Sequence, residues 1–369
     1  MASLAYLMFA ILRVGAFRAR NQAVVSCATP VTVLKPVCGP EPRLYESLRS
    51  FCDQDYARYQ VVFGIRDASD PAIEIVKRLI SEFPEQDLAL VVDGRVAGPN
   101  LKVSNLINMV QAAKYGILVI ADSDIRVGRN YLTAVAAPFQ DSAVGAVTCL
   151  YKGSPVEGLP SVLGAMFIND WFAPSVLVAV GLQQLRYCFG ATMAVRRDVL
   201  EAIGGFAVLA HQLADDHMLG KMISAKGYRI ALSPYVVENI VWEPSFKSLL
   251  LHELRWARTV RSSRPLGHAF LFLTSPVALS LLFLLLSPAR TLGFALVAVS
   301  SLLRVLLHYR IRAICQITGP ARPSLAPVRD VLCFAIWAAS FLGRGVRWRG
   351  QDYSVQSGGQ LTIKGERNL

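Results

Sequence analysis

Between positions 117 and 127 the chain reads Ile117-Leu-Val-Ile-Ala-Asp122-Ser-Asp124-Ile-Arg-Val127. Five apolar residues in a row are too few for a helix but suit a strand covered on both faces. The run stops at two carboxylates one residue apart. In an open α/β sheet, ligands gather outside the carboxyl ends of the strands, so Asp122 and Asp124 stand where a ligand would sit. An acid-x-acid turn offers hard oxygens to a divalent metal, Mg²⁺ or Mn²⁺, which in turn neutralises a diphosphate. Taken alone, the same residues also describe an ordinary acidic turn after a core strand.

The surrounding pattern supplies context. A β-rich run at 31–37 ends in Pro36 and a Cys38-Gly39-Pro40 turn, and 41–52 carries Leu44, Leu48 and Phe51 at helical spacing. A strand at 60–65 ends at Arg66-Asp67, Pro71 opens a helix to about 83, and a strand at 88–92 ends at Asp93. Positions 101–115 repeat an apolar face at Val103, Leu106, Ile107 and Val110, closed by Gly116. This βαβαβαβ order predicts an α/β fold, a Rossmann-like and mostly parallel sheet with helices on both faces. Further strands are expected at 144–150, 187–195 and 228–232. A short helix is expected at 197–203, closed by Gly204-Gly205, and another at 211–226 that carries Asp215-Asp216 at its start. A basic amphipathic segment follows at 247–264.

Hydrophobic residues make up 53 % of the chain and charged ones 17 %, against a usual charged share of about 25 %. With a mean hydropathy of +0.41, part of the apolar content should face lipid. The stretch 269–287 has no charge and is long enough to span a bilayer. A second at 291–308 is interrupted by Arg304, which must snorkel or face a polar cavity. The apolar stretch 331–342 is only a dozen residues long and is flanked by Arg329, Arg344, Arg347 and Arg349, which suggests a re-entrant or interfacial helix. Residues 4–12, followed by Arg13, Arg18 and Arg20, are too short to span and read as an interfacial helix, a trimmed span or a signal-like stretch. These features divide the chain into a membrane-associated segment (1–20), a catalytic domain (28–264), membrane helices (265–345) and a tail (346–369).

The net charge of +12 suits an anionic membrane surface, because much of the arginine flanks apolar stretches; no nucleic-acid partner is expected. Seven cysteines at 27, 38, 52, 149, 188, 315 and 333 form no C-x-x-C pair. They read as buried thiols in a reducing compartment.

The chain carries together the stretches Leu34-Lys-Pro-Val, Phe51-Cys-Asp-Gln-Asp-Tyr56, Arg66-Asp-Ala-Ser-Asp-Pro-Ala72, Asn100-Leu-Lys-Val-Ser-Asn-Leu106, Ala121-Asp-Ser-Asp-Ile-Arg-Val127, Arg197-Asp-Val-Leu200 with Gly204-Gly205, and Arg255-Trp256, with Trp348-Arg-Gly in the tail. The chain resembles membrane-bound, inverting GT-A glycosyltransferases of the ceramide glucosyltransferase family and their bacterial relatives, including the hopanoid glycosyltransferase. The segment Phe167-Ile-Asn-Asp-Trp-Phe172 looks more like the hopanoid branch. The resemblance implies a GT-A domain followed by C-terminal membrane helices. It implies transfer of glucose or N-acetylglucosamine from a UDP-sugar to the hydroxyl of a membrane lipid, ceramide or hopanoid. It places the multi-pass chain in a bacterial inner membrane with the catalytic domain cytoplasmic.

By the same resemblance Asp67 contacts the uracil or ribose, Asp122 the diphosphate and metal, and Asp216 is the general base. Arg255 would stabilise the diphosphate, Trp256 pack on sugar or acceptor, and Lys102 and Asn105 touch phosphate or base. The family's Gln or Arg at the head of x-x-Arg-Trp is His252 here, and Asp124 stands where animal ceramide enzymes tend to have glycine. Each residue also has a plainer use: Asp67 could cap a turn, and Asp215 or Asp216 could favour a helix N-terminus. Arg255-Trp256 could anchor at an interface, and Lys102 and Asn105 could be surface residues of a helix start. His211, His217 and His252 lack the spacing of a metal site. A processive polysaccharide synthase and a non-catalytic adaptor with a transferase fold remain the rival readings.

Overall fold

A computed structural model of the chain describes residues 1–17, 29–343, 345–348, 351–355 and 359–363. Arg18, Arg20, Cys27, Arg344, Arg349 and Gly350 lie outside them. The apolar run at 31–37 is β1 (Val31–Val37), buried throughout. β2 (Tyr59–Ile65) lies parallel to it on one side and β4 (Ile117–Ile120) on the other, with β3 (Asp87–Val92) parallel to β2 at the edge. The sheet is completed by β5 (Ile125–Arg126), β6 (Val144–Pro155), β7 (Met193–Arg196) and β8 (Arg229–Val241), in the order β3-β2-β1-β4-β7-β6-β8-β5. β7 runs antiparallel to both β4 and β6, and β5 antiparallel to β8. The expected α/β sheet is therefore parallel in its first half and mixed beyond β4.

Period-2 alternation sorts the side chains into two layers. Val31, Val33, Val61 and Phe63 pack with α2 (Leu44–Cys52) and α3 (Ala72–Glu82) on one face, whereas Leu34 and Val62 point to the other. There they meet α4 (Leu101–Met109), whose first turn is capped by the buried Asn100 side chain accepting from Val103 N at 3.1 Å. The N-terminal helix, α1 (Ala2–Ala16), packs one face against the domain. Leu7, Ala10, Ile11 and Val14 are buried in this same layer, and Tyr6 Oη lies 2.9 Å from Ser175 Oγ.

Beyond α5 (Tyr131–Ala136) two sequence expectations change. Only 193–196 of the stretch 187–195 and its neighbour forms a strand; Phe189 and Thr192 pair as an isolated bridge around Gly190. A long helix unexpected from the sequence runs through α6 (Gly158–Met166), a π-turn (Phe167–Phe172) and α7 (Ala173–Leu182). It is long and apolar enough to cross a membrane, yet 67 % of its apolar window is buried in the protein, so it reads as a core helix. Next come α8 (Arg197–Ala202), α9 (Asp215–Ala225), and the amphipathic α10 (Phe246–Ser263), capped by Ser245.

The expected span at 269–287 is a bent pair. α11 (Pro265–Ala269) and a 3₁₀ turn to Thr274 meet α12 (Pro276–Leu286) at 69°. Pro276 has no N–H to continue the first helix, which accounts for the break. α13 (Arg290–Ile314) is long and apolar enough to cross a membrane, and only 28 % of its window is buried. The short helix of the sequence reading is α14 (Leu325–Ser340). Arg304 neither snorkels nor lines a cavity: its Nε sits 2.5 Å from Asp330 Oδ2 inside the helix cluster. The tail forms β9 (Gly345–Trp348), β10 (Gln351–Val355) and β11 (Leu361–Ile363), an antiparallel sheet that pairs back onto 211–213 through Leu361 N to His211 O at 2.9 Å and Leu213 N to Gly359 O at 3.0 Å.

Candidate functional site

The turn after β4 is held from beneath. Lys35, within the apolar β1, is fully buried and donates to Asp122 O at 2.5 Å, with its ammonium 4.0 Å from the centre of the Phe51 ring. Burial pushes this lysine down to about 7, against which Asp124 and Asp122 act. Asp124 is tied to the far edge of the sheet: its Oδ2 accepts from Asn239 Nδ2 at 2.8 Å and its carbonyl from Ile240 N at 2.9 Å. Ser123 Oγ donates to Glu41 at 2.7 Å. Asp124 Oδ1 is buried without a hydrogen-bond partner. Burial, with the charges of Asp122 and Glu41, pushes its carboxyl up to about 7.

Lys102, on the first turn of α4, bridges to Asp122 Oδ1 at 2.6 Å and Asp215 Oδ2 at 3.5 Å. Burial opposes its charge, but Asp122 and Asp215 outweigh it and hold its pKa above the usual lysine value. Asp216 enters from the start of α9. Its Oδ2 accepts from Gly190 N at 2.9 Å and its Oδ1 from His217 N at 2.7 Å. Burial and the adjacent Asp215 push Asp216 up to about 6. A Cβ on Gly190 would lie 3.4 Å from Asp216 Oδ2 and 3.6 Å from Asp122 Oδ2. The two carboxylates thus converge on one open point, kept clear because position 190 has no side chain.

The x-x-Arg-Trp motif sits on α10. His252 Nδ1 lies 2.7 Å from Glu243 Oε1, and its ring packs 4.2 Å from that of Trp256. Burial lowers the His252 pKa, although the hydrogen bond to Glu243 opposes this. Trp256 stacks on Phe167 of the π-turn at 5.5 Å, and Phe167 on Trp171 at 5.1 Å. Arg255 is half-buried on the same helix.

Other expected contacts fall elsewhere. Asn105 is buried and donates to Gly64 O at 2.7 Å, where even a methyl on Gly64 would collide with Met109 and Asn105. It holds α4 against β2, which corrects the expectation of a phosphate or base contact. Asp67 is exposed, and its Oδ1 accepts from Ser69 N and Oγ at 2.9 and 2.7 Å, a turn-capping geometry. Asp93 is held in a fork by Arg95. Sequence reasoning passed over Lys35, Asn239 and Gly190. Lys35 had a signal, a lysine inside an otherwise apolar strand run; Asn239 and Gly190 had none.

A family model described as glycosyl transferase family 21 matches residues 1–361. The chain belongs to glycosyl transferase family 21. Ceramide glucosyltransferase 3 of Caenorhabditis elegans is 24 % identical to this family-21 chain over 229 residues, covering 62 % of the chain and 50 % of that relative. Ceramide glucosyltransferase 1 of the same organism is 26 % identical over 206 residues, covering 56 % and 44 %. The chain spans about half the length of these two curated relatives. A mannosyltransferase from Pyrobaculum calidifontis, solved with GDP-mannose and Mn²⁺, shares 20 % identity at a TM-score of 0.57, covering 92 % of this chain and 95 % of that one. This last likeness is one of fold, the GT-A arrangement expected from the sequence.

Proposed function

We propose that this family-21 chain transfers glucose or N-acetylglucosamine from a UDP-sugar to the hydroxyl of a membrane lipid, ceramide or hopanoid, with inversion and at the cytoplasmic face of the membrane. The observation that carries the reading is the convergence of Asp122 and Asp216 on the open point at Gly190, with Lys102 beside them. Inverting transfer needs a base on the face of the sugar opposite the leaving nucleotide. Asp216, held by two backbone N–H groups and raised toward neutrality, can take the proton of the attacking hydroxyl. Lys102 and Arg255 supply cationic groups for the departing diphosphate.

The donor set also fits a divalent metal, Mg²⁺ or Mn²⁺. Asp122 and Asp124 would hold it, and the partnerless, buried Asp124 Oδ1 is a hard oxygen of the required kind. Among the described residues no group of three or more His, Cys, Asp or Glu gathers for a metal, so the donor's phosphates would complete the shell. When bound, the cation neutralises charge on the leaving diphosphate.

A pH-dependent stabilisation by metal follows. In the ion-free protein Asp124 stands at about 7 against an ordinary 3.8. A raised folded-state value favours folding below the unfolded pKa, and that contribution is lost as pH rises through about 7. A ligand cation must displace the proton on the acid side but meets a ready carboxylate on the basic side. Mn²⁺ is therefore expected to raise the melting temperature more at about pH 8 than at about pH 5.5, in thermal scans with and without chelator. Equal shifts at both values would remove Asp124 from the ligand set.

The function itself is tested in detergent micelles with Mg²⁺ or Mn²⁺, offering UDP-glucose and UDP-N-acetylglucosamine against ceramide and a hopanoid polyol. One glycolipid, seen by mass and lost on chelation, is the expected result. A ladder of polymer would favour the processive synthase, and absence of both turnover and UDP binding the non-catalytic adaptor.

A further inference from the structure

The segment that leads into Asp215-Asp216 has no local anchor. Ala214, the residue before α9, has no side chain to cap the helix, where Ser, Thr, Asp or Asn is the usual choice. The segment is fixed from a distance instead. β11 of the tail runs antiparallel to it, with Gln360 opposite Gln212. Leu361 N donates to His211 O at 2.9 Å, and Leu213 N donates to Gly359 O at 3.0 Å. Leu213 and Leu361 are both buried.

Alternate groups of an extended segment face opposite ways. Gln212 O accordingly turns from the tail and accepts from Asn100 Nδ2 at 2.8 Å, while Asn100 N donates to Ala210 O at 2.9 Å. Lys102 follows Asn100 on α4. The two turns pack closely: a Cβ on Gly98 would lie 2.7 Å from Ala210 O. The tail also reaches this second turn, because the buried Tyr353 donates through Oη to Pro99 O at 3.4 Å. One small sheet therefore touches both segments that carry side chains toward the open point at Gly190. The sheet is gripped in turn by α10, where α14 passes into β9. Arg258 donates to Leu342 O at 2.5 Å and to Gly345 O, and Arg261 to Gly343 O at 2.6 Å and to Ser340 O.

We propose that the tail sheet is a strap for the reacting loop, with Gly359 and Leu361 as positioning residues for Asp216 and Tyr353 for the turn that bears Lys102. The proposal rests on the function given above for the role of Asp216. It gives a use to the tail stretch Trp348-Arg-Gly-Gln-Asp-Tyr353, which the reaction itself leaves without one. These residues act through the backbone of 211–213 and 99–100. A base works only within hydrogen-bond reach of the hydroxyl it deprotonates, and a displacement of about 1 Å from a remote change can cost about 10²-fold. Because the strap starts where α14 ends, the base is held in place only when the tail returns from α14 to the catalytic domain.

Leu361→Pro deletes the donor to His211 O. That N–H points away from β10, so the β10 ladder keeps its hydrogen bonds. Gly359→Ala strains the same strap, since φ there is 83°. Each variant is expected to lower kcat for sugar transfer about 10- to 100-fold, with the UDP-sugar KM within about threefold. Leu361→Met keeps the N–H and should behave as the parent. Hydrogen exchange followed by mass spectrometry, on the full chain in detergent, needs no turnover. Amides of 210–217 should exchange about tenfold faster in Leu361→Pro and Gly359→Ala, while those of β1, β2 and β4 hold the parent rates. Faster exchange at 210–217 with parent kcat would overturn the positioning role, and unchanged exchange would overturn the strap itself. Faster exchange throughout the sheet would make the tail a general stabiliser instead. A raised donor KM at parent kcat would assign it to nucleotide binding. A parent chain without transfer would sink the proposed reaction, whereas parent transfer left intact in both variants would sink this inference alone.

Discussion

Asp216→Asn is expected to lower sugar transfer by roughly 10²–10⁴-fold, the range for losing a positioned general base, while UDP affinity stays within about twofold. The substitution is nearly isosteric. The Asp216 oxygens accept from Gly190 N and His217 N, so an amide oxygen can retain one of these bonds while its NH₂ faces the other donor. What it cannot do is take a proton. Transfer assays and calorimetric titration with UDP on the same preparation check the split between chemistry and binding. Turnover close to that of the parent would remove Asp216 as base. Loss of UDP binding together with a lowered melting temperature would make its role one of holding the loop at Gly190.

The second large effect lies in the helix cluster. Asp330→Asn should destabilise the protein by about 3–5 kcal/mol, the usual cost of leaving one member of a buried ion pair uncompensated. Arg304 and Asp330 are 4 % and 2 % exposed, and they also satisfy backbone groups that the bend before Pro276 leaves open. Arg304 Nη2 donates to Thr274 O, at the end of the 3₁₀ turn, and Asp330 Oδ1 accepts from Ala278 N at 3.1 Å, on the first turn of α12. One pair thereby joins α12, α13 and α14. Nearby, His308 Nδ1 meets Asp170 of the π-turn at 2.9 Å and Arg304 Nη1 its carbonyl at 3.3 Å. Thermal unfolding in detergent checks the prediction, and the double variant Arg304→Met/Asp330→Leu should recover much of the loss by removing both charges. A single variant as stable as the parent would show that the helices pack without the pair.

Both results depend on whether a local pattern or a distant partner decides a residue's place. Asp122 and Asp124 were legible because a buried strand must end, and polar residues after it mark the sheet edge. Arg304 was legible only as a problem: a guanidinium in an apolar run must find something polar, but Asp330 lies 26 residues on. Asn105 misled because a polar residue at a helix start looks ligand-facing. Its actual partner, Gly64 O, is 41 residues away. The break at Pro276 was readable from that proline but was masked by the uncharged run around it.

The sequence by itself determined the strand-helix alternation, the two-faced burial of β4, and the acidic turn after it. It did so because period 2, period 3.6 and turn chemistry are properties of neighbouring residues. Only the tertiary structure decided that Lys35 props the acidic turn from below and that Gly190 clears the point where Asp122 meets Asp216. Those outcomes depend on which strand lies next to which and on where α10 and α14 cross. Burial and unmet hydrogen bonds exist only once distant segments have packed together.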